Sequence, residues 1–403
     1  MLEWRAGCAN DSECRRSIVC RAAETARAHR LDFALQIDEK SYQVYFYSPR
    51  IVLDGGVEAV VCMAALGAMC HGLRIDVQGP VSAGFLANQQ KLADIFTEWF
   101  PQYRLPSWSA EKAAAVIPGS VERVGSFFTG GVDSFYTFLK HRAEITDLIY
   151  VHGYDVGLQD MEKRRAISEM GAALERDTGV RFIEIETNAV RLFKDHGKWG
   201  LHGHGYGLGT IVRLLNGYLQ RIYITSSFSE AELMPWASHP QTDVLFGDES
   251  IEVIHDGCEA GRTEKIRRIA IEPMALQHLR VCWEKLEGAY NCCECEKCLR
   301  TMTTLYGLGV LRAATTFPAG LSAAAVRKLL LDSESARTFA RDNVRFLDEL
   351  GLHEDPLRDA WMHVASRPGW QNALLRRSRR LRKQWQRQLN KLSYGANSAV
   401  GDK

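Results

Sequence analysis

The sequence predicts an α/β fold: a parallel sheet flanked by helices, with an α+β region before it and a helical region after it. Three observations carry this reading. From about Arg123 to Leu311, short strands rich in β-branched residues alternate with segments of helical periodicity. The residues before them pattern as a hairpin followed by mixed helix and strand. The residues after them show helical spacing only. The expected regions are therefore 1–118, 119–311 and 312–403 of the 403 residues.

Within the first region, Phe33 to Ile37 and Tyr42 to Phe46 flank the polar Asp38-Glu39-Lys40, which predicts a hairpin. Val57 to Met69 is apolar and Ala-rich, as in a buried helix. Arg74 to Val77 reads as a short strand and Leu86 to Phe100 as a helix. Cys8, Cys14 and Cys20 match no zinc spacing and read as free thiols around a first helix. In the second region, Val124 to Phe128 reads as a strand running into a Gly-Gly turn, followed by a helix from Phe135 to Arg142. Strands at Leu148 to His152, Arg181 to Glu186 and Arg221 to Thr225 alternate with helices at Glu162 to Thr178 and Gly207 to Leu219. Such a sheet carries helices on both faces and binds ligands at the carboxyl ends of its strands. In the third region, helices are expected at Ala324 to Leu331, Glu334 to Leu350 and Asp355 to Ala365. Leu374 to Leu392 reads as a basic amphipathic helix, its stripe of Leu374, Leu381, Trp385, Leu389 and Leu392 set among arginines and lysines without an acidic residue.

Composition narrows the class. Hydrophobic residues make up 46% and charged residues 25%, as in a soluble globular protein with a sizeable core. The net charge of +1 gives no bulk attraction to polyanions, so an anionic partner must be met by a local patch. No apolar run is long enough to span a bilayer, and the first residues lack the order of a signal peptide, so a cytoplasmic location is expected. Of the 11 cysteines, five lie between Cys282 and Cys298, which in such a compartment suggests metal before disulfides.

The segment Phe127-Phe128-Thr129-Gly130-Gly131-Val132-Asp133-Ser134-Phe135 combines a strand end, two glycines and a helix start. N–H groups at such a helix start, backed by the helix dipole, attract anionic oxygens. Thr129 and Ser134 add hydroxyls, and Asp133 can orient the loop or approach a magnesium ion. The competing reading is an ordinary turn with Asp133 or Ser134 as an N-cap. The six-residue string resembles the Ser-Gly-Gly-X-Asp-Ser signature of the PP-loop ATP pyrophosphatases of the HUP superfamily, with Thr129 in place of Ser. That resemblance implies a Rossmann-like, adenine nucleotide alpha hydrolase-like domain. It implies that Thr129, Gly130, Gly131, Val132, Asp133 and Ser134 grip ATP with Mg2+, that cleavage gives AMP and pyrophosphate, and that the backbone around Gly153 lines the nucleotide pocket.

Cys282, Cys292, Cys295 and Cys298 have spacing suited to one tetrahedral zinc; four thiolates also suit an iron–sulfur cluster. Four sulfurs leave no open position, so such a zinc is structural. Cys293 is adjacent and not expected to ligate. The run Cys292-Cys293-Glu294-Cys295-Glu296-Lys297-Cys298 resembles the zinc site of the 7-cyano-7-deazaguanine synthases, PP-loop enzymes of deazapurine biosynthesis, with Cys293 where that family has glycine. The resemblance covers the middle half of the chain and implies a diverged relative.

Other candidates are weaker. His202, with His204, lies in a Gly-rich helix entry, and His239 and Asp243 lie in a polar loop after the fourth strand; all could face a substrate. Related synthases place a lysine at a helix start near here, so Arg262 or Lys265 is expected to neutralise phosphate charge and joins Asp133 and Ser134 as a candidate catalytic residue. The expected activity is ATP-dependent adenylation of a carboxylate or amide-type oxygen for attack by a nitrogen nucleophile. No obvious persulfide-carrying cysteine sits beside the loop, and the clustered cysteines read as metal ligands, which favours nitrogen over sulfur chemistry. The alternatives are modification of a tRNA base, with nucleic acid held by the basic C-terminal helix, and a non-catalytic nucleotide-binding scaffold. The partner is a small molecule or a modified base, and a homodimer is compatible.

Overall fold

The computed structural model describes residues 4–5, 17–22, 26–27, 29–112, 122–282, 284, 290–331, 333–378, 380–381 and 384–385. The chain divides into two compact units, Met1–Arg280 with Lys285–Tyr290, and Val281–Glu284 with Asn291–Lys403. The first 118 residues do not separate as a unit of their own.

In chain order the first unit contains β1 (Ser17–Arg21), β2 (Arg30–Ile37), β3 (Lys40–Tyr47), α1 (Val57–His71), β4 (Arg74–Val81), α2 (Ala83–Trp99) and β5 (Ser107–Lys112). It continues with β6 (Val124–Phe127), α3 (Val132–Lys140), β7 (Asp147–His152), α4 (Met161–Thr178), β8 (Arg181–Thr187) and α5 (Val190–His196). A π-helical turn at Trp199–Gly203 leads into α6 (His204–Leu214), then β9 (Arg221–Thr225), α7 (Pro240–Asp243), β10 (Glu252–Asp256), α8 (Arg262–Ala270) and α9 (Pro273–His278).

The strands form two sheets. The smaller is built on three parallel strands in the order β1-β4-β5, with Trp4–Arg5 added antiparallel at its edge. The larger runs β10-β9-β6-β7-β8-β3-β2, with Ala26–Arg27 at the end. From β10 to β8 every pairing is parallel, and the hairpin of β2 and β3 joins antiparallel to β8 through Glu186↔Tyr47 and Thr187↔Phe46. Thus the hairpin read from the sequence is present, with Asp38 at φ 53 in its turn, but it extends the α/β sheet instead of belonging to a separate domain. All six residues of β7 are buried, as the apolar run of a central parallel strand requires.

The buried helix is also present. Val60, Val61, Cys62, Met63 and Ala64 of α1 are fully enclosed, and α1 packs on α6 and β4 in one core with residues from both sheets. A helix apolar on all sides can be held only in this way. Arg213 of α6, with no side-chain exposure, pairs with Glu58 of α1 and with Asp248 at 3.0 Å.

Among the five parallel strands the chain starts at β6, steps through β7 to β8, then crosses back to β9 and β10. The strand order therefore reverses between β6 and β9, the place where open α/β sheets hold ligands.

The second unit is helical: α10 (Glu296–Gly307), α11 (Ala323–Arg327), α12 (Glu334–Glu349) and α13 (Pro356–Ser366), with further helical residues at 369–378. Trp361 of α13 is fully buried, and its indole N–H donates to Thr303 Oγ1 of α10 at 2.9 Å. Asp355 caps α13 through the N–H of Leu357 at 2.8 Å.

Several expectations change. Cys20 is on strand β1, not by a helix, while Cys8 and Cys14 lie outside the described residues. The helix expected from Gly207 begins at His204 and ends at Leu214, because residues 215–218 form a turn with Gly217 at φ 73. Of the basic stripe, Leu374, Leu381 and Trp385 are exposed; Leu389 and Leu392 lie outside the described residues. Among the described residues no helix is long and apolar enough to cross a membrane.

Candidate functional site

The loop between β6 and α3 sits at the reversal point. Gly130 has φ +73, a conformation that suits glycine, and a Cβ there would press on Met170 Sδ at 3.0 Å. Ser134 closes the loop on itself: its Oγ donates to the Gly131 carbonyl at 3.1 Å and accepts from the Thr129 N–H at 3.3 Å. Gly131 starts α3 with no side-chain cap, so no side chain of the helix entry covers its first-turn N–H groups. Val132, Phe135 and Phe138 anchor the helix below, with Phe135 edge-on to Phe128 at 4.9 Å. Arg280 holds the loop from the other side: its N–H donates to the Gly130 carbonyl at 2.7 Å and its guanidinium to the Thr129 carbonyl at 3.3 Å.

Two cations of α8 converge on the loop carboxylate. Arg262 donates to Asp133 Oδ2 at 2.9 Å, and Lys265 Nζ lies 3.4 Å from Oδ1. Lys265 is buried, and its ammonium also donates to the Ser226 carbonyl at the end of β9, at 2.7 Å. Three positions apart on one helix, Arg262 and Lys265 share a face, and both reach the same partner. Gly153, at the end of β7, has φ +100, and a Cβ there would stand 1.9 Å from the Thr187 carbonyl.

The other expected substrate contacts divide. His202 packs away from this constellation, against Phe100, Tyr103 and Phe96; its Nδ1 takes the Lys198 N–H at 3.1 Å and faces Tyr103 Oη at 3.0 Å. Burial and the Lys198 charge hold its pKa below the ordinary imidazole value. His239 caps the short helix α7 through the Gln241 N–H at 3.1 Å and stacks edge-on against Trp99. Asp243, fully buried, accepts from Ser238 Oγ at 2.6 Å and pairs with His255 Nδ1 at 2.7 Å.

Cys258 was missed from the sequence. It follows β10 by two residues, and its thiol donates to Ser226 Oγ at 3.3 Å and interacts with the His255 ring. Through Ser226 and Lys265 it is linked to the Asp133 constellation. Strand β10 hid it: three of its five residues, Glu252, His255 and Asp256, are polar, so the apolar pattern of a strand is absent. The signal available was the string His255-Asp256-Gly257-Cys258 itself.

In the second unit, Cys282, Cys292, Cys295 and Cys298 bring their sulfurs within 4.8 Å of one another. Cys282 and Cys295 are 3.9 Å apart, Cys292 and Cys298 3.8 Å. Four sulfurs about 2.3 Å from a tetrahedral zinc stand at about this separation. N–H groups of Glu294 and Cys295 point at the Cys292 sulfur and that of Glu284 at Cys282, which favours thiolates. Asn291 fixes the approach of the first ligand by accepting from the N–H groups of Val281 and Cys282 at 2.9 and 3.2 Å. Cys293, at φ 57, turns away and is buried, as expected of a non-ligand. The cluster can hold a metal such as zinc.

No family model, curated protein or solved structure matches the chain. The first site offers a helix N-terminus, two hydroxyls, two cations and a carboxylate at the reversal point of a parallel sheet. The second site offers a closed set of four sulfurs.

Proposed function

We propose that the first unit binds ATP at Thr129–Ser134 and adenylates a carboxylate or amide-type oxygen, releasing pyrophosphate, for attack by a nitrogen nucleophile. The observation that carries this reading is the convergence of Arg262 and Lys265 on Asp133 at the switch point of the sheet. A helix start and two cations are what a polyphosphate needs; a single-phosphate or neutral ligand would leave part of that charge unused. The donor set also fits a magnesium ion, for which Asp133 and Ser134 supply oxygens; the ion would neutralise charge on the phosphates. The loop N–H groups and Ser134 hold the pyrophosphate end. Arg262 and Lys265 stabilise the charge that grows there as the α–β bond breaks. Gly153 lets the backbone at the end of β7 pass close against the Thr187 carbonyl, and the nucleotide base is assigned to this strand end by the resemblance.

This reading agrees with the resemblance to the deazaguanine synthases, and the four-cysteine cluster fits their structural zinc. The test is product identity. The full chain, MgATP and a small-molecule extract of cells should yield AMP and pyrophosphate; ADP and phosphate would refute the reading. Asp133→Ala should abolish that release while bound zinc stays constant.

One observation favours the tRNA alternative as a second reading. In the second unit Arg337, Arg376, Arg377 and Arg380 line one cavity of about 670 Å³. Replacing Arg376, Arg377 and Arg380 by Glu should weaken RNA binding and flatten its salt dependence if RNA is the substrate. Unchanged binding removes this alternative.

A further inference from the structure

We propose that Cys258 is a covalent nucleophile of this site, set up by His255 and Asp243, and that it accepts the adenylated group as a thioester. The proposal rests on the adenylation reading above and deepens it. Its basis is a chain of buried polar contacts at the carboxyl ends of β9 and β10. His255 Nδ1 is 2.7 Å from Asp243 Oδ2, with side-chain exposures of 3% and 0%. That carboxylate is itself oriented by Ser238 at 2.6 Å. Nδ1 is thereby taken, and Nε2 is buried with no bonded partner of its own. The part-exposed thiol of Cys258 interacts with the ring and touches Ser226. Its turn is fixed by the Glu230 N–H, which donates to the Cys258 carbonyl at 2.8 Å.

A nucleophile, a base and a buried group that orients the base form the arrangement used by acyl-transferring cysteines. A core packing role would not explain a part-exposed thiol beside a buried imidazole that has one nitrogen held by a carboxylate and the other without a partner. Lys265 adds positive charge from α8, while Glu259, on the same turn, is occupied by Lys140 and Tyr136. His239 faces the pair from α7. Burial pushes the Cys258 thiol up, but the neighbouring His255 and the Lys265 charge outweigh it and hold the thiol below its ordinary value.

The thiolate attacks the carbon that carries AMP. A C–S bond forms, the C–O bond to the phosphate oxygen breaks, and its electron pair leaves on AMP. The proton held on His255 passes to the departing phosphate. The nitrogen nucleophile then attacks the thioester carbon; the C–S bond breaks with its pair returning to sulfur, and His255 takes the nitrogen's proton. Nothing is oxidised or reduced.

The experiment uses the full chain with two probes. Iodoacetamide near neutral pH should alkylate Cys258 about tenfold faster than Cys70, another part-exposed cysteine, and His255→Gln should slow it about tenfold and move its pH midpoint upward. p-Nitrophenyl acetate on the unmodified chain should give a burst of nitrophenolate with the acetyl group on Cys258, located by peptide mass; this arm needs no variant that might misfold. Alkylation no faster than at Cys70, an acetyl group elsewhere, or indifference to a folded His255→Gln chain each overturns the nucleophile. Pyrophosphate exchange into ATP, measured on the same unmodified chain with a metabolite extract, separates the two failures. Its absence overturns adenylation and the thioester step with it. Exchange with an unreactive Cys258 overturns the role of Cys258 alone.

Discussion

Gly153 and His255 show how single positions carry the site. At Gly153 an alanine Cβ would enter the Thr187 carbonyl at 1.9 Å, so strand β7 could not leave the sheet as it does. Gly153→Ala should lower stability by about 3 kcal/mol or more in chemical denaturation. For His255, burial opposes the charge, but the bond to Asp243 and the neighbouring Cys258 thiol outweigh it and raise the imidazole from 6.5 to about 9. The folded pKa lies above the unfolded one. The stability it contributes is therefore fully present below 6.5 and is lost as pH rises through about 9. The melting-temperature difference between the native chain and His255→Gln should shrink across that window; a constant difference contradicts the pairing. At this scale the sequence was legible where neighbours in the chain make the local structure, as in the strand end, glycine turn and helix start around Gly130 and Asp133. It was not legible where a partner comes from far along the chain, as with Ser226 for Cys258.

At the scale of elements, apolar periodicity predicted the strands that are buried on both faces, such as β7, and the helix α1. It missed β10, whose residues are mostly polar, and α5, which spans only Val190–His196. It also placed the hairpin in a separate domain, since strand pairing of β3 with β8 joins residues about 140 positions apart and leaves no local pattern. The polar contacts between elements are equally invisible in one dimension. Arg213 ties α6 to α1 and to the segment before β10 with its charge wholly buried. Removing one partner of such a group leaves Glu58 and Asp248 uncompensated, so Arg213→Ala should cost about 3–5 kcal/mol. A loss below about 1 kcal/mol in equilibrium denaturation would show that water reaches the site.

For the whole molecule, two units with separate cores imply two unfolding transitions. Because the four cysteines belong to the second unit alone, stripping the metal with a chelator should lower one transition and leave the other in place. Calorimetry with both transitions moving together would refute this. The near-neutral charge of +1 offers no long-range pull on a polyanion, so under the proposed function recognition would fall to Arg262 and Lys265. Yet in the resting protein those two cations already hold a carboxylate, that of Asp133. Asp133 is in effect a resident counter-ion, and an arriving phosphate must compete with it. Loading the site is then an exchange of one anion for another, and the tenant sets how weakly stray phosphate is held. Asp133→Asn should bind inorganic pyrophosphate more tightly than the native chain, by titration calorimetry, even as turnover is lost. On the proposed reading, one carboxylate would both serve turnover and keep the site from being clogged by stray anions.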